Sequence, residues 1–185
     1  MNDDIEVRPV TASSLDELRQ FAGNNGSFGY CSCMKWRVTS TEFKKSDKAE
    51  RASMLAELVQ REQPVGLLGY LGGEPIGWCS IAPREHLAGL ERYRKLPRID
   101  DVPVWAVVCF YVHRSARGQG VQHALLRAAI EYARSQQAAA VEGYPPSPSS
   151  TLYRYMGSIE VFRDVGFDDV TPQGQERPVM RYSLR

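Results

Sequence analysis

Hydrophobic and polar positions along the chain follow two periods, and the places where the period switches mark the elements. Ile5 to Thr11 alternates, with Ile5, Val7 and Pro9 on one face, as in a half-buried strand. Ser14-Leu-Asp-Glu17 fits a capping box. Leu15, Leu18, Phe21 and Ala22 then recur at helical spacing until Gly23-Asn24-Asn25-Gly26 ends the helix. Ser27 to Arg37 has no clean period, yet it gathers Phe28, Tyr30, Met34 and Trp36, which reads as a loop or short helix rich in contact residues. A helix is predicted from Glu42 to Arg61, with Ala52, Leu55, Ala56, Leu58 and Val59 on its apolar side. Val65–Leu71 and Pro75–Ile81 read as two strands joined at Gly72-Gly73, a hairpin signal. Ala82 to Asp101 is polar and basic, a long surface connection and therefore a substrate-side candidate.

The most apolar run, Val104–Val112, is rich in β-branched and aromatic residues and reads as the central strand. Helical spacing begins just after Arg117-Gly-Gln-Gly120: Val121, Ala124, Leu125, Ala128, Ala129 and Tyr132 form one face of an amphipathic helix of about four turns. Ala138–Tyr144 is another strand, stopped by Pro145-Pro146. A short helix around Ser158–Val165 leads to Gly166-Phe167, and Pro178–Ser183 is a closing strand. One domain spanning residues 1–185 is expected, without internal repeats or low-complexity tracts.

Composition narrows the classes. The chain has 185 residues, 43% hydrophobic and 24% charged, which excludes disordered and fibrous classes. With 23 basic and 22 acidic residues the formal charge is +1, so neither a nucleic-acid partner nor a polybasic membrane surface is indicated. No run reaches the roughly 18 apolar residues of a membrane span, and the acidic MNDDIEVRPV start lacks a signal-peptide core. A cytoplasmic protein is expected. Cys79 and Cys109 lie in apolar strands, where Cys109 should be inert. Cys31 and Cys33 form C-x-C, not zinc-type C-x-x-C, so the pair reads first as structural or pocket-lining, and no metal site is expected.

Chemistry concentrates at FYVHRSARGQGVQHALLRAAIEYA. Glycines at 118 and 120 let backbone approach a ligand, and a helix N-terminus offers unpaired N–H groups with partial positive charge. That combination suits a phosphate or pyrophosphate, although neither G-x-G-x-x-G nor a P-loop is present. A structural turn capping a packed helix would look the same in isolation. The order of elements, however, resembles the GNAT superfamily of acyl-CoA-dependent N-acetyltransferases over nearly the whole chain. The family motif [Q/R]-x-x-G-x-[G/A] matches Arg117-Gly118-Gln119-Gly120-Val121 and departs at Gln122, where a small residue is usual; Ser158 stands eight positions before Gly166, as the family favours.

The resemblance implies an α+β fold, with a mixed central sheet of roughly six to seven strands flanked by about four helices. It implies acetyl-CoA as acyl donor, held by Phe110, Tyr111 and Val112 through strand backbone and by Arg117 with the N–H groups of Gly118, Gln119, Gly120, Val121, Gln122 and His123. The tyrosine that serves as acid in many relatives, four residues before the Gly of Gly-Phe, is Phe162 here, and the usual asparagine three residues before Ser158 is Tyr155. Base and acid roles then fall to Glu142, Tyr144, Tyr153 or Tyr155, with Glu142 favoured as base or substrate anchor at the end of its strand. Each of these also fits an ordinary strand-end glutamate or half-buried tyrosine. His113 and His123 read as polar residues beside the phosphate turn.

The resemblance places the acceptor pocket between Phe28–Trp36 and Tyr144–Tyr155, with Tyr30, Cys33, Met34, Trp36 and Tyr153 as substrate-binding candidates. The same aromatics also fit core supports beneath helices. The expected activity is acetyl transfer to a small-molecule amine by direct attack in a ternary complex, from a monomer or homodimer. Two alternatives stay open. One is a protein or peptide N-acetyltransferase whose basic loop Arg84–Arg98 grips an acidic partner; the other is a CoA-binding module that has lost catalysis.

Overall fold

A computed structural model of the chain describes residues 4–23 and 26–184, so the turn expected at Asn24-Asn25 lies outside the described residues. The elements run β1 (Ile5–Pro9), α1 (Leu15–Gly23), α2 (Gly26–Cys31), α3 (Ser40–Lys45), α4 (Lys48–Gln60), β2 (Leu67–Leu71), β3 (Glu74–Pro83), α5 (Ala88–Glu91), β4 (Val104–Val112), α6 (Val121–Ser135), β5 (Ala140–Gly143), α7 (Ile159–Asp164), β6 (Asp168–Asp169) and β7 (Met180–Ser183). The strands form one seven-stranded sheet in the order β1-β2-β3-β4-β5-β7-β6. Pairing is antiparallel except between β4 and β5, which run parallel with α6 as their crossover. This is the mixed-sheet α+β architecture the resemblance implied, with seven α-helices among the described residues where about four were expected.

Alternation along β3 and β4 divides the core between the two faces of the sheet. Cys79, Ile81, Val107 and Phe110 pack with Val121, Leu125 and Ala129 of α6 on one face. Leu68 and Trp78, flanked by the less buried Cys109 and Tyr111, meet α1, α2 and α4 on the other. Burying large apolar side chains on both faces is the main term holding the layers together, at roughly 1.5–3 kcal/mol each relative to exposure.

Several expectations needed correction. The helix predicted over Glu42–Arg61 is two helices, because Asp47 leaves the helical path to cap α4: its carboxylate accepts from Glu50 N at 2.9 Å, and the Glu50 carboxylate accepts from Asp47 N at 2.7 Å. Thr39 and Glu42 cap α3 in the same manner. The capping box near residue 14 lies between Thr11 and Ser14 rather than Ser14 and Glu17, since Glu17 accepts a 2.5 Å bond from the Tyr70 hydroxyl. The connection after β3 is not purely surface. Arg84 is 2% exposed, and Leu87, Leu90 and Leu96 are buried, so its basic start is structural.

Candidate active site

The site begins where β4 and β5 part. Their ladder ends at Val107↔Gly143, while β4 continues to Val112 paired only with β3. A bulge in the β3–β4 register, from Ser80↔Cys109 to Ile81↔Val107, turns Val108 and Cys109 toward the same face. Beyond the divergence no strand flanks β4 on its β5 side among the described residues, and that edge of the strand borders an open cavity. Phe162 occupies the gap beneath: a Cβ on Gly143 would lie 2.1 Å from its ring, and it packs edge-on to Phe110 and Phe167.

From the end of β4 the chain enters the glycine turn. Gly118 and Gly120 have φ of 76° and 79°, left-handed values that a side chain would strain, and an added Cβ at either would point into open space. Gly120 caps α6 with no side-chain hydrogen bond, so the first-turn N–H groups of this 15-residue helix are left for a ligand. Arg117 Nε donates to the Val112 carbonyl at 3.3 Å and Gln119 Nε2 to the Ser115 carbonyl at 2.9 Å, which fix the turn. His123 lies 3.2 Å from the Asp164 carboxylate. A cavity of about 760 Å³ opens over this turn, lined by Phe110, Tyr111, Val112, Arg117, Gln122 and Tyr155 among others. Nine of the ten residues expected at the cofactor line it; Gln119 lines the adjoining hollow with His123.

A second cavity, of about 320 Å³, lies on the side of α2 and is walled by Phe28, Tyr30, Trp36, Phe43 and Tyr155 with the thiols of Cys31, Cys33 and Cys109. The C-x-C segment shapes it: Ser32 and Cys33 both take left-handed φ, 44° and 51°, turning the chain sharply after α2. Cys33 accepts a 2.9 Å hydrogen bond from Trp78 Nε1. Burial pushes the Cys31 thiol up to about 11 and the Cys33 thiol well above its usual range, so both stay protonated near neutrality. The two cavities share Phe110, Tyr111 and Tyr155. Burial also raises the Tyr155 hydroxyl above its ordinary value, leaving it a proton donor.

Not every residue singled out from the sequence reaches this junction. Tyr30, Cys33 and Trp36 line the second cavity. Met34 is buried in the core behind it, and Tyr153 supports it indirectly, packing on Trp36 at 5.9 Å and on Tyr155 at 6.0 Å. Glu142 and Tyr144 line neither cavity. Glu142 is 2% exposed, accepts from Tyr144 Oη at 2.6 Å and from Arg181 at 2.5 and 3.0 Å, and lies 3.6 Å from Arg84. Arg84 in turn donates to Tyr144 Oη at 2.9 Å and to Glu91, and Arg181 pairs with Asp100. The expectation that Glu142 emerges between the parting strands as a base is not met: two guanidiniums and a phenol already occupy its oxygens. The sequence reading missed Cys109, Lys35 and Phe43 as wall residues; Cys109 in particular is half-buried at the cavity and not sealed in the sheet. The unbroken apolar run around it hid the bulge that turns it outward.

Known structures share the whole fold. AAC(6')-Ib, an aminoglycoside acetyltransferase solved in complex with coenzyme A, is 16% identical, with a TM-score of 0.60 over 97% of this chain and 94% of its own. yncA from Salmonella typhimurium, solved with acetyl-CoA, is 14% identical, with a TM-score of 0.58 over 99% and 95%. A ribosomal-protein-alanine N-acetyltransferase from Brucella melitensis is 16% identical, with a TM-score of 0.56 over 96% and 99%. No curated protein sequence gives a significant match. The model of the acetyltransferase (GNAT) family matches residues 31–166, from the C-x-C turn through α7 to Gly166. On that match, which spans most of the chain and contains the glycine turn, the parting strands and most of the wall of the second cavity, the protein belongs to the acetyltransferase (GNAT) family.

Proposed function

We propose that this single-domain chain moves an acetyl group from acetyl-CoA to the amine of a small molecule in the cytoplasm, by direct attack within a ternary complex. The observation that carries the reading is the junction: a groove over a helix N-terminus and an apolar pocket meet at Phe110, Tyr111 and Tyr155. The pyrophosphate suits the N–H groups from Gly118 to His123, with Arg117 beside them, and the pantetheine amides suit the open edge of Phe110–Val112. The thioester carbonyl would then sit near a β4 backbone N–H, which stabilises the oxyanion that develops on attack.

In the transfer, the amine nitrogen bonds to the carbonyl carbon and the C–S bond breaks. A coenzyme A thiol of pKa roughly 8.5 leaves readily and needs only a modest acid. Tyr155, at the junction with a raised hydroxyl, supplies the proton to the departing sulfur and regains one from the acylated nitrogen, so charge and protons balance. Glu142 and Tyr144 hold β5 and β7 in place from beneath. A small acceptor is favoured by a pocket of about 320 Å³ walled by aromatic rings, near the lower end of small-molecule sites.

Incubation with acetyl-CoA and a panel of small amines, read as free thiol and acetylated product by mass spectrometry, tests this. Amine-dependent release with an N-acetyl product is the expected result. Release with peptides alone overturns the small-molecule acceptor, and tight CoA binding with no release from any amine or peptide overturns catalysis.

A further inference from the structure

The wall of the acceptor pocket is unbalanced in charge. Among its lining residues Lys35 is the one cation, and no carboxylate is present. Lys35 is half-buried, with its Nζ 5.4 Å from the Phe43 ring centroid and no acidic partner among the described residues. The charge behind the wall is also positive: the buried Arg51 guanidinium stacks on the rings of Tyr30 and Phe43 at 4.5 and 4.4 Å. Trp36 adds a buried indole N–H with no acceptor among the described residues. The remaining wall is rings and thiols.

From this we propose that the acceptor is an apolar or aromatic amine that also carries an anionic group such as a carboxylate, and that Lys35 selects it. The inference rests on the acetyl-transfer reading and names the substrate class of that site. An anionic group seated on Lys35 gains a charge-assisted hydrogen bond in a partly dry pocket, while the apolar body covers Phe28, Phe43 and Trp36. The amine is then directed to the junction at Phe110, Tyr111 and Tyr155, where no carboxylate stabilises its ammonium form, so the reactive neutral form is disfavoured least. Polycationic amines meet Lys35 with no counter-charge in the wall, which rejects them.

The test uses matched acceptors: L-phenylalanine, its amide, and spermidine. Wild-type protein is expected to favour the acid over the amide by about tenfold to hundredfold in kcat/KM, the range of a hydrogen bond to a charged group, and to leave spermidine unmodified. Lys35→Met brings that ratio to near one, and Lys35→Glu inverts it toward the amide. In parallel, N-acetyl-L-phenylalanine and its amide are titrated into CoA-saturated protein by calorimetry, which reads the same preference without turnover. Equal use and equal binding of acid and amide by the wild type overturn the inference and leave acetyl transfer standing. Preferential binding of the acid with no thiol release supports the charge selection and overturns the catalytic reading instead. Acetylation of spermidine in preference to phenylalanine overturns the inference outright.

Discussion

Replacing Glu142 with glutamine removes one negative charge from a buried network that joins β5, β7 and the connection after β3. Its carboxylate serves Arg181 on β7 through two hydrogen bonds, takes a third from Tyr144, and lies 3.6 Å from Arg84. Removing one partner of a buried pair costs about 3–5 kcal/mol, because the surviving charge has left water without compensation. Two features reduce that figure here. Glu91 and Asp100 remain as partners of Arg84 and Arg181, and the glutamine amide keeps one acceptor for Tyr144. A loss of about 2–3 kcal/mol is therefore expected for Glu142→Gln. At roughly 2–4 °C per kcal/mol for a domain of this size, Tm falls by about 5–10 °C in calorimetry. The pH profile of kcat/KM measured well below that Tm keeps its shape, since Glu142 lines neither cavity. A variant with unchanged Tm and a lost or displaced acid limb refutes the reasoning and makes Glu142 the base.

The remaining predictions concern the junction and its supports. Tyr155→Phe lowers kcat by about a hundredfold, the low end of general-acid effects because the thiol leaves readily, and turnover within threefold of wild type removes the acid role. Since burial raises the Tyr155 hydroxyl, its proton is held throughout the neutral and mildly alkaline range and gives the wild-type rate no fall below pH 10. Gly120→Ala places a side chain at φ 79°, costing about 1–2 kcal/mol of stability, and calorimetric CoA affinity falls with it; unchanged affinity and Tm would mean the turn relaxes freely. With the Cys31 thiol at about 11, alkylation by iodoacetamide, followed on its own peptide by mass spectrometry, rises steadily up to pH 10; a plateau below pH 9 contradicts the burial argument.

Much of the fold could be read before any coordinates because local chemistry and tertiary demand agree there. The Gly72-Gly73 hairpin, the apolar β4 and the regular spacing of α6 follow from backbone freedom, β-branched content and period alone. The break between α3 and α4 was missed although Asp47 and Glu50 are a capping pair in plain sight, since the apolar side of α4 continues the spacing on either side of it. At the site, the glycine turn was legible because its two residues without Cβ stand directly before a helix in an order of elements that resembles the family's. The role of Glu142 was not. A glutamate at a strand end reads the same whether it meets a substrate or two arginines, and Arg84 and Arg181 stand far from it along the chain.

The sequence by itself determined most of the strands and helices, the glycine turn before α6 and the aromatic richness of the segment after α1, because each depends on neighbours within a few residues. Only the tertiary structure decided which charged groups are spent and which are free. It sequestered Glu142 between Arg84 and Arg181, turned Cys109 outward through a bulge, and left Lys35 as the unpaired charge of an apolar pocket. The reason is electrostatic. The consequence of a charge depends on distance and burial, and both are set by elements that meet only when the sheet is assembled.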